Sequence, residues 1–181
     1  NKSAARFDFA KLADLNGHYI RNADNKELIR RIKDVLPEIE GGPAKLAKLD
    51  AGLWPKLEAL LPAIKERAKT LLDLVAGADF LFDARPLKCD DKAAKLLDAE
   101  AKTALAAMLP ALTSAADWSA PTLDATIRAH AEQTGAKLGK ILPPLRAALT
   151  GRSVSPPVAD VLAVLGRDES VARIQDQLTS S

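Results

Sequence analysis

The chain is 181 residues long, with 48% apolar residues, only 4% aromatic residues and a formal net charge of +2. This length supports one sizeable core or two small ones, and filling them with alanine and leucine favours an all-helical fold. One cysteine and two distant histidines exclude a disulfide and indicate no metal site.

The first helix is predicted over residues 8–21, and its apolar side chains fall on one side. They are Phe9, Leu12, Leu15 and Tyr19. Asn16 and Gly17 are poor helix formers, so a bend or a cap is expected there. Asp24 is a suitable N-cap for a second helix over 25–36.

Shorter helical segments follow at 44–49 and from 55 towards 67, where Pro62 is expected to kink the helix or begin a new turn. The polar segment after Phe82 contains a proline and marks a change of subdomain. We therefore divide the chain into residues 1–86 and 87–181.

The second half predicts helices at 91–97, 99–112, 120–133 and 169–178, with a further pair between 137 and 166. Valine, isoleucine and threonine form no alternating runs, so no strand is predicted. The fold class is all-α, with two consecutive helical subdomains, a helix bundle and a helical cage, and roughly nine or ten helices.

The pair between 137 and 166 is the most informative segment. Its first helix carries an apolar stripe at helical spacing, namely Leu138, Ile141, Leu142, Leu145 and Leu149. Gly151 is a suitable left-handed stop, and Ser155 a suitable N-cap for a helix that begins at Pro156 and ends at Gly166. No acidic residue lies between Gln133 and Ala159, so a polyanion could bind here.

Catalytic signatures are absent from the sequence, which has no phosphate-binding glycine loop, serine elbow or HExxH motif. The paired Asp90 and Asp91 suit a helix N-terminus better than catalysis. No run approaches 18 apolar residues, and residues 1–4 do not resemble a signal peptide. We expect an inactive, cytoplasmic piece of a longer protein, with no cofactor or metal of its own and no membrane contact.

Several strings resemble one family. KLADLNGHYIR at 11–21 resembles the KLxWLNGxYIR segment that follows the catalytic half of bacterial glutamyl-tRNA synthetases. ERAKTL at 66–71, FLF at 80–82, WS at 118–119, and KLGK, PLRAALTG, SP and LGR between 137 and 167 follow in the same order. The resemblance implies the C-terminal anticodon-binding region of a class I glutamate-tRNA ligase.

That resemblance also implies partners. The chain is expected to be a monomer that binds glutamate tRNA, with glutamine tRNA left open. ATP and Mg would belong to a catalytic domain upstream, because the HIGH-like and KMSKS-like signatures are absent here. Two positions depart from the family pattern. Asp14 replaces a frequent tryptophan, which implies a less buried contact, and Pro143 adjoins Pro144, so the helix could restart there.

The family pattern implies roles for individual residues. Arg146 and the turn of Ser155, Pro156 and Val158 would face the second and third anticodon bases, and Arg67 would lie near the first. An arginine can fork hydrogen bonds to a splayed base or stack on it. Structural roles stay open: Arg146 as a residue beside an apolar stripe, Arg67 as a surface residue, and Ser155 as a plain N-cap.

Lys137, Lys140 and Arg152 would position phosphates without contributing sequence specificity. Two other functions remain open, a helical protein-interaction module and an unrelated helical nucleic-acid-binding domain. Steep salt dependence would separate RNA binding from an apolar protein contact.

Overall fold

A computed structural model describes residues 8–180 of the chain. Within this range there is no β-strand, and ten helices are seven or more residues long. The prediction of an all-α fold with nine or ten helices is therefore confirmed. The chain divides into two compact units, Asn1–Ala78 and Asp79–Ser181.

The first unit contains five helices. They are α1 (Phe9–Asn22), α2 (Asn25–Val35), α3 (Gly42–Lys48), α4 (Trp54–Lys65) and α5 (Leu71–Gly77). Its core is mostly leucine and isoleucine from α2, α4 and α5, including Leu28, Ile32, Leu57, Leu60, Leu61 and Leu74. Asp8 and Asp24 cap α1 and α2 by accepting hydrogen bonds from the first-turn N–H groups.

Helix α1 continues through Gly17, so the chain has no helix cap at this position. Gly17 is buried, and a Cβ at this position would lie 3.3 Å from the carbonyl oxygen of Ala68. The glycine therefore serves close packing of α1 against the segment between α4 and α5.

The second unit contains the remaining helices. They are the single turn α6 (Asp91–Ala94), α7 (Ala99–Thr113), α8 (Ala120–Thr134), α9 (Leu138–Thr150), α10 (Val158–Leu165) and α11 (Arg167–Thr179). Helix α9 contacts α6, α7, α8, α10 and α11. Of the predicted apolar stripe, Ile141, Leu145 and Leu149 are buried, whereas Leu138 and Leu142 are only half-buried. This central position fixes the end of α9, where Arg146 lies.

Helix α9 also continues through Pro143 and Pro144, so the restart expected there does not occur. Each proline leaves the carbonyl four residues earlier without its usual intrahelical donor. Those carbonyls belong to Gly139 and Lys140, which are exposed and can bond to water. Exposure of the first turn thus makes the double proline tolerable.

Residues 79–86 pack with the second unit rather than the first. The carbonyl oxygen of Phe80 accepts a hydrogen bond of 3.0 Å from the buried guanidinium of Arg173, and Arg85 pairs with Asp176 at 2.8 Å. The first compact unit therefore ends at residue 78, eight residues before the sequence-based division of the chain.

Candidate nucleic-acid interface

The turn between α9 and α10 covers residues 151–157 and begins at Gly151, a position that only glycine can occupy without strain. Gly151 has φ 68° and ψ 10°, and its N–H donates to the carbonyl of Ala147 at 2.8 Å, which ends α9. A Cβ on Gly151 would lie 2.9 Å from the carbonyl oxygen of Lys88. Both its conformation and its close packing therefore require glycine.

Hydrogen bonds hold the start of this turn against the rest of the second unit. The Gly151 carbonyl accepts from the backbone N–H of Asp90 at 2.9 Å. The buried Thr150 hydroxyl donates to the carbonyl of Arg146 at 2.8 Å and accepts from the N–H of Arg152 at 3.2 Å. These hydrogen bonds within the second unit therefore fix the backbone around Arg146.

Arg146 and Ser155 meet across the turn. The Nε of Arg146 donates to the Ser155 hydroxyl at 3.2 Å, and this hydroxyl donates to the carbonyl of Pro156 at 2.7 Å. Both side chains are half-buried. The guanidinium plane is therefore held in one orientation at the edge of the turn, which suits recognition of a planar ligand.

Helix α10 begins at Val158, not at Pro156, and Ser155 is not its N-cap. Pro157 disfavours the α conformation for Pro156, so the helix cannot include the first proline. The Ser155 hydroxyl instead bonds Arg146 and Pro156. No side chain caps α10, and among residues 8–180 the N–H groups of Val158 and Ala159 have no acceptor. These donors form the positive end of the helix dipole.

Of the predicted turn residues, Pro156 and Val158 have buried side chains, and Val158 is only 4% exposed. Neither side chain is therefore open to a ligand. On the first turn of α10, burial raises the pKa of the Asp160 carboxyl above its ordinary value.

The three predicted phosphate-positioning residues have different surroundings. Lys137 and Lys140 are exposed, and neither forms an ion pair within residues 8–180. Arg152 contacts Asp83 at 3.2 Å and lines a shallow cavity of about 510 Å³ together with Asp90. The carboxylates around Arg152 offset its charge, so Lys137 and Lys140 carry the uncompensated positive charge.

Arg67 lies in the first unit, in the turn 66–70 between α4 and α5. Its side chain is exposed and has no hydrogen-bond or ion-pair partner within residues 8–180. Helix α1 holds the turn: Asn16 donates an amide hydrogen bond to the carbonyl of Lys69, and the Lys69 ammonium contacts Asp14 at 2.7 Å. Asp14 is exposed, in keeping with the less buried contact expected of it.

Within residues 8–180, no three His, Cys, Asp or Glu side chains are grouped so that they could hold a metal ion, and no helix is long and apolar enough to cross a membrane. Burial and the neighbouring Asp90 charge raise the pKa of the Cys89 thiol, which disfavours a reactive thiolate.

A family profile described as "Anticodon binding domain" matches residues 27–178 of this chain. The chain belongs to the anticodon-binding domain family. Among curated relatives, it is 52% identical to the glutamate-tRNA ligase of Azorhizobium caulinodans over 176 residues, which are 97% of this chain and 37% of the relative. It is 54% identical to glutamate-tRNA ligase 2 of Brucella ovis over 178 residues, which are 98% of this chain and 38% of the relative.

This anticodon-binding domain also resembles solved structures. The crystal structure of a glutamate tRNA ligase from Elizabethkingia meningosepticum in complex with its amino acid matches 99% of this chain with a TM-score of 0.79 and 26% identity. The match covers 34% of that protein. The chain thus spans about two fifths of the length of the curated relatives, and about a third of the solved structure.

Sequence reasoning missed two features of this domain. The uncapped start of α10 follows from the Pro156-Pro157 pair, so the steric rule for a residue before proline could have revealed it. The buried position of Arg173 had no such signal, because Glu169 and Arg173 have the i,i+4 spacing of an ordinary exposed helix pair.

Proposed function

We propose that this chain is the anticodon-binding region of a glutamate-tRNA ligase and that it binds the anticodon loop of glutamate tRNA. Its membership of the anticodon-binding domain family and its similarity to glutamate-tRNA ligases over nearly all its length support this. One geometric observation carries the proposal. A half-buried arginine is fixed by Ser155 beside an uncapped helix N-terminus, in a segment without carboxylates from residue 134 to 158.

In this proposal the turn 151–157 and the start of α10 face the second and third anticodon bases. Unstacked loop bases expose their Watson-Crick edges, which offer acceptors to N–H donors. The guanidinium of Arg146 can fork hydrogen bonds or stack, and the N–H group of the half-buried Ala159 supplies a further donor. Ser155 shapes this surface by holding the Arg146 side chain. Pro156 shapes it because it stays outside α10, which begins at Val158.

Arg67 of the first unit is proposed to lie near the first anticodon base. Its exposed side chain, without a partner in the described residues, is able to adapt to a ligand. Lys137 and Lys140 are proposed to position phosphates, since each is an exposed cation without an ion pair. Arg152 contributes less in this role, because Asp83 already pairs with it.

The parent enzyme is proposed to attach glutamate to tRNA with ATP and Mg held by its catalytic part, and to work in the cytoplasm as a monomer. The presence of glutamate-tRNA ligase in the names of both curated relatives supports this activity. Whether the parent enzyme also charges glutamine tRNA depends on whether the site tolerates a different anticodon. The titration described next, with a tRNA changed in its anticodon, tests this tolerance too.

The test is a titration of the chain with glutamate tRNA and with a copy changed at the third anticodon base, at two salt concentrations. We expect salt-sensitive binding that weakens with the base change. Arg146→Ala should cost about 1–3 kcal/mol and reduce discrimination at one anticodon position.

Lys140→Ala is the matched control, since it removes a cation from the same helix without touching the turn. It should weaken all tRNAs about equally and lower the salt slope by about 1. Equal losses for both variants on both tRNAs would contradict the two roles. Binding that ignores salt would favour a protein-interaction module instead.

A further inference from the structure

Val154 is exposed although the turn that carries it is held in place. Its side chain is 73% exposed, and it is the only large exposed apolar side chain among the described residues of the second unit. Hydrogen bonds between Thr150 and Arg152, and between Arg146 and Ser155, hold the turn on both sides of it. A single exposed aliphatic residue is ordinary on a protein surface, so the groups around Val154 decide what it does.

The shallow cavity of about 510 Å³ beside Arg152 is also lined by Val154, Ser153, Asp90, Asp91 and Lys92. Its volume lies within the range of about 300–1,000 Å³ that is typical of small-ligand sites. The lining is chemically mixed, because Val154 supplies apolar surface, Lys92 and Arg152 are cations, and the two aspartates are carboxylates. We call this space the Val154 cavity.

Two polar groups of the Val154 cavity have unused hydrogen-bonding capacity. The Asp91 carboxylate has no hydrogen-bond or ion-pair partner within residues 8–180, whereas Asp90 caps α6. The Arg152 guanidinium bonds Asp83 through one amino group at 3.2 Å, and its buried Nε has no acceptor in the same range of residues. A buried donor without an acceptor is unfavourable. The cavity therefore combines a free acceptor, an unsatisfied donor and an apolar wall.

This combination matches a nucleobase. The face of an unstacked base is largely apolar and packs against apolar side chains. The edges of adenine, cytosine and guanine combine acceptors with an exocyclic amino group, from which a carboxylate accepts a hydrogen bond. Carboxylates also disfavour a phosphate group in the cavity, because like charges repel.

Aromatic side chains offer no alternative contact for a base in this unit. Among its described residues, Phe80 and Phe82 are buried, and Trp118 is half-buried with its indole N–H bonded to the carbonyl of Leu162 at 2.7 Å. Val154 is therefore the apolar side chain of the second unit that is open to the face of a base.

We propose that the Val154 cavity receives an unstacked base of the anticodon loop that lies outside the three anticodon bases and bears an exocyclic amino group. The inference rests on the proposed function, which assigns the three anticodon bases to Arg67, to Arg146 and to the start of α10. A further cavity beside the same turn is thus left for another nucleotide of the loop. Val154 contacts the face of this base, Asp91 accepts from its amino group, and Arg152 donates to an acceptor on its edge.

Variants of Val154 test the apolar contact, with binding of glutamate tRNA to the 181-residue chain as the measurement. Val154→Thr keeps the branched shape but replaces a methyl group by a hydroxyl, so affinity should fall about two- to fourfold. Val154→Ala removes two methyl groups and should lower affinity about five- to tenfold. The salt dependence of binding should not change, because no cation is removed. Leu12→Ala is the control, since Leu12 is 48% exposed on α1, a helix with no proposed tRNA contact.

Asp91→Ala gives a sharper result, because charge and hydrogen bonding predict effects of opposite sign. If Asp91 acted through its charge alone, removing the carboxylate would strengthen binding to a polyanion. We expect instead a loss of about two- to fivefold, since the amino group of the base loses its acceptor. Glu100→Ala is the charge control, because it removes an exposed carboxylate from the first turn of α7, outside the cavity. It should strengthen binding slightly.

Glutamate tRNAs that each carry one abasic nucleotide in the anticodon loop locate the base. The effects of Val154→Ala and Asp91→Ala should both disappear with the same tRNA, and its abasic nucleotide should lie outside the anticodon. Uridine has no exocyclic amino group. Placing uridine at that position should therefore remove the effect of Asp91→Ala and keep that of Val154→Ala.

Several outcomes would overturn this inference while leaving the proposed function in place. They are an unchanged affinity for Val154→Ala, a higher affinity for Asp91→Ala, and effects of the two variants that disappear at different nucleotides or at an anticodon base. A natural uridine at the located position would overturn it as well. If the unaltered chain bound no tRNA, the proposed function itself would be contradicted, and this inference with it.

Discussion

The two turns that carry the candidate arginines are built differently. In the first unit, Arg67 extends from the turn 66–70 with no side-chain partner among residues 8–180. In the second unit, Arg146 is half-buried and bonded to Ser155 across the turn 151–157. A fixed side chain loses less entropy on binding than a free one. We therefore expect Arg146 to contribute more specificity, and Arg67 more adaptability.

The supports of the turns differ in the same way. Exposed groups hold the first turn, including the Lys69–Asp14 pair and the capping box in which Thr70 and Asp73 exchange hydrogen bonds at the start of α5. Buried groups support the second. The guanidinium of Arg173, 2% exposed, donates to the carbonyl of Leu149 at 2.8 Å and contacts Glu169 at 2.6 Å. Removing a buried support should therefore cost much more than removing an exposed one.

The largest expected effect is that of Arg173→Ala. The substitution leaves the buried carbonyls of Phe80 and Leu149 without this donor and Glu169 without its partner, so the second unit should lose about 3–5 kcal/mol. Urea unfolding measures the loss. Each unit has one tryptophan, and Trp54→Phe or Trp118→Phe leaves fluorescence from one unit only.

Arg128→Ala is the control for that comparison, because it removes an exposed i,i+4 pair with Asp124 from α8 of the same unit. Its unfolding midpoint should match that of the parent chain within error. A loss for Arg173→Ala as small as that of the control would show that the second turn does not depend on buried supports.

Alanine substitution at two glycines separates the free-energy cost of a left-handed backbone from the cost of overpacking in the second turn. Gly151 and Gly135 both end helices with φ near 70°, but only at Gly151 would an added Cβ lie within 3 Å of another atom, the carbonyl oxygen of Lys88. Gly135→Ala should cost about 1–2 kcal/mol for the left-handed backbone alone. Gly151→Ala should cost more, by roughly 1–3 kcal/mol of overpacking. Equal unfolding free energies for the two variants would exclude tight packing of the turn.

Ser155→Ala tests whether fixing Arg146 matters for specificity. The variant removes the acceptor of the Arg146 Nε, so binding of glutamate tRNA should weaken by about 0.5–1.5 kcal/mol, with reduced discrimination at the anticodon. Ser153→Ala is a matched control, since this half-buried serine of the same turn has no side-chain hydrogen bond within residues 8–180. Identical tRNA affinities for the two variants would argue against a fixed Arg146.

The smallest effect is expected in the first turn. A hydrogen bond and the charge of Lys69 lower the pKa of Asp14 below its ordinary value. Stabilisation by this pair is therefore present above the unfolded pKa and is lost as the pH falls through the folded one. Lys69→Ala should raise the pKa of Asp14 towards its ordinary value, as measured by NMR titration of the carboxyl carbon. An unchanged pKa would mean that α1 does not hold the turn through this pair.

Much of the fold could be predicted because it depends on local patterns. The N-cap Asp24 and the stop at Gly151 are local choices that the sequence specifies through hydrogen bonding and allowed dihedral angles. Three residues of the α9 stripe, Ile141, Leu145 and Leu149, are buried because their spacing matches the helical repeat. The cationic segment from 134 to 158 is likewise visible in the sequence. These features mark the segment that contains the candidate site, whereas the roles of Arg146 and Ser155 come from the resemblance to glutamyl-tRNA synthetases.

The structure around the start of α10 depends partly on the local sequence and partly on tertiary packing. A serine before two prolines predicts an N-cap, but the second proline excludes the first from the helix. Ser155 was then available for Arg146, whose position depends on the packing of α9 in the centre of the unit. Local rules could have placed the helix start, whereas only the three-dimensional structure shows which side chain the serine meets.

Helix α11 shows where the sequence alone is insufficient. Its apolar pattern predicts an inner face of Val171, Ile174 and Leu178, yet Ser170, Arg173 and Gln177 are buried and Val171 and Leu178 only partly so. The Arg173 and Gln177 side chains donate to carbonyls of Phe80, Leu149 and Leu87, which are 24 to 93 residues away. The sequence determined the helices, their ends and the cationic segment, because neighbouring residues control them. Tertiary structure alone decided which polar groups are buried, because a buried donor is stable only where a distant acceptor meets it.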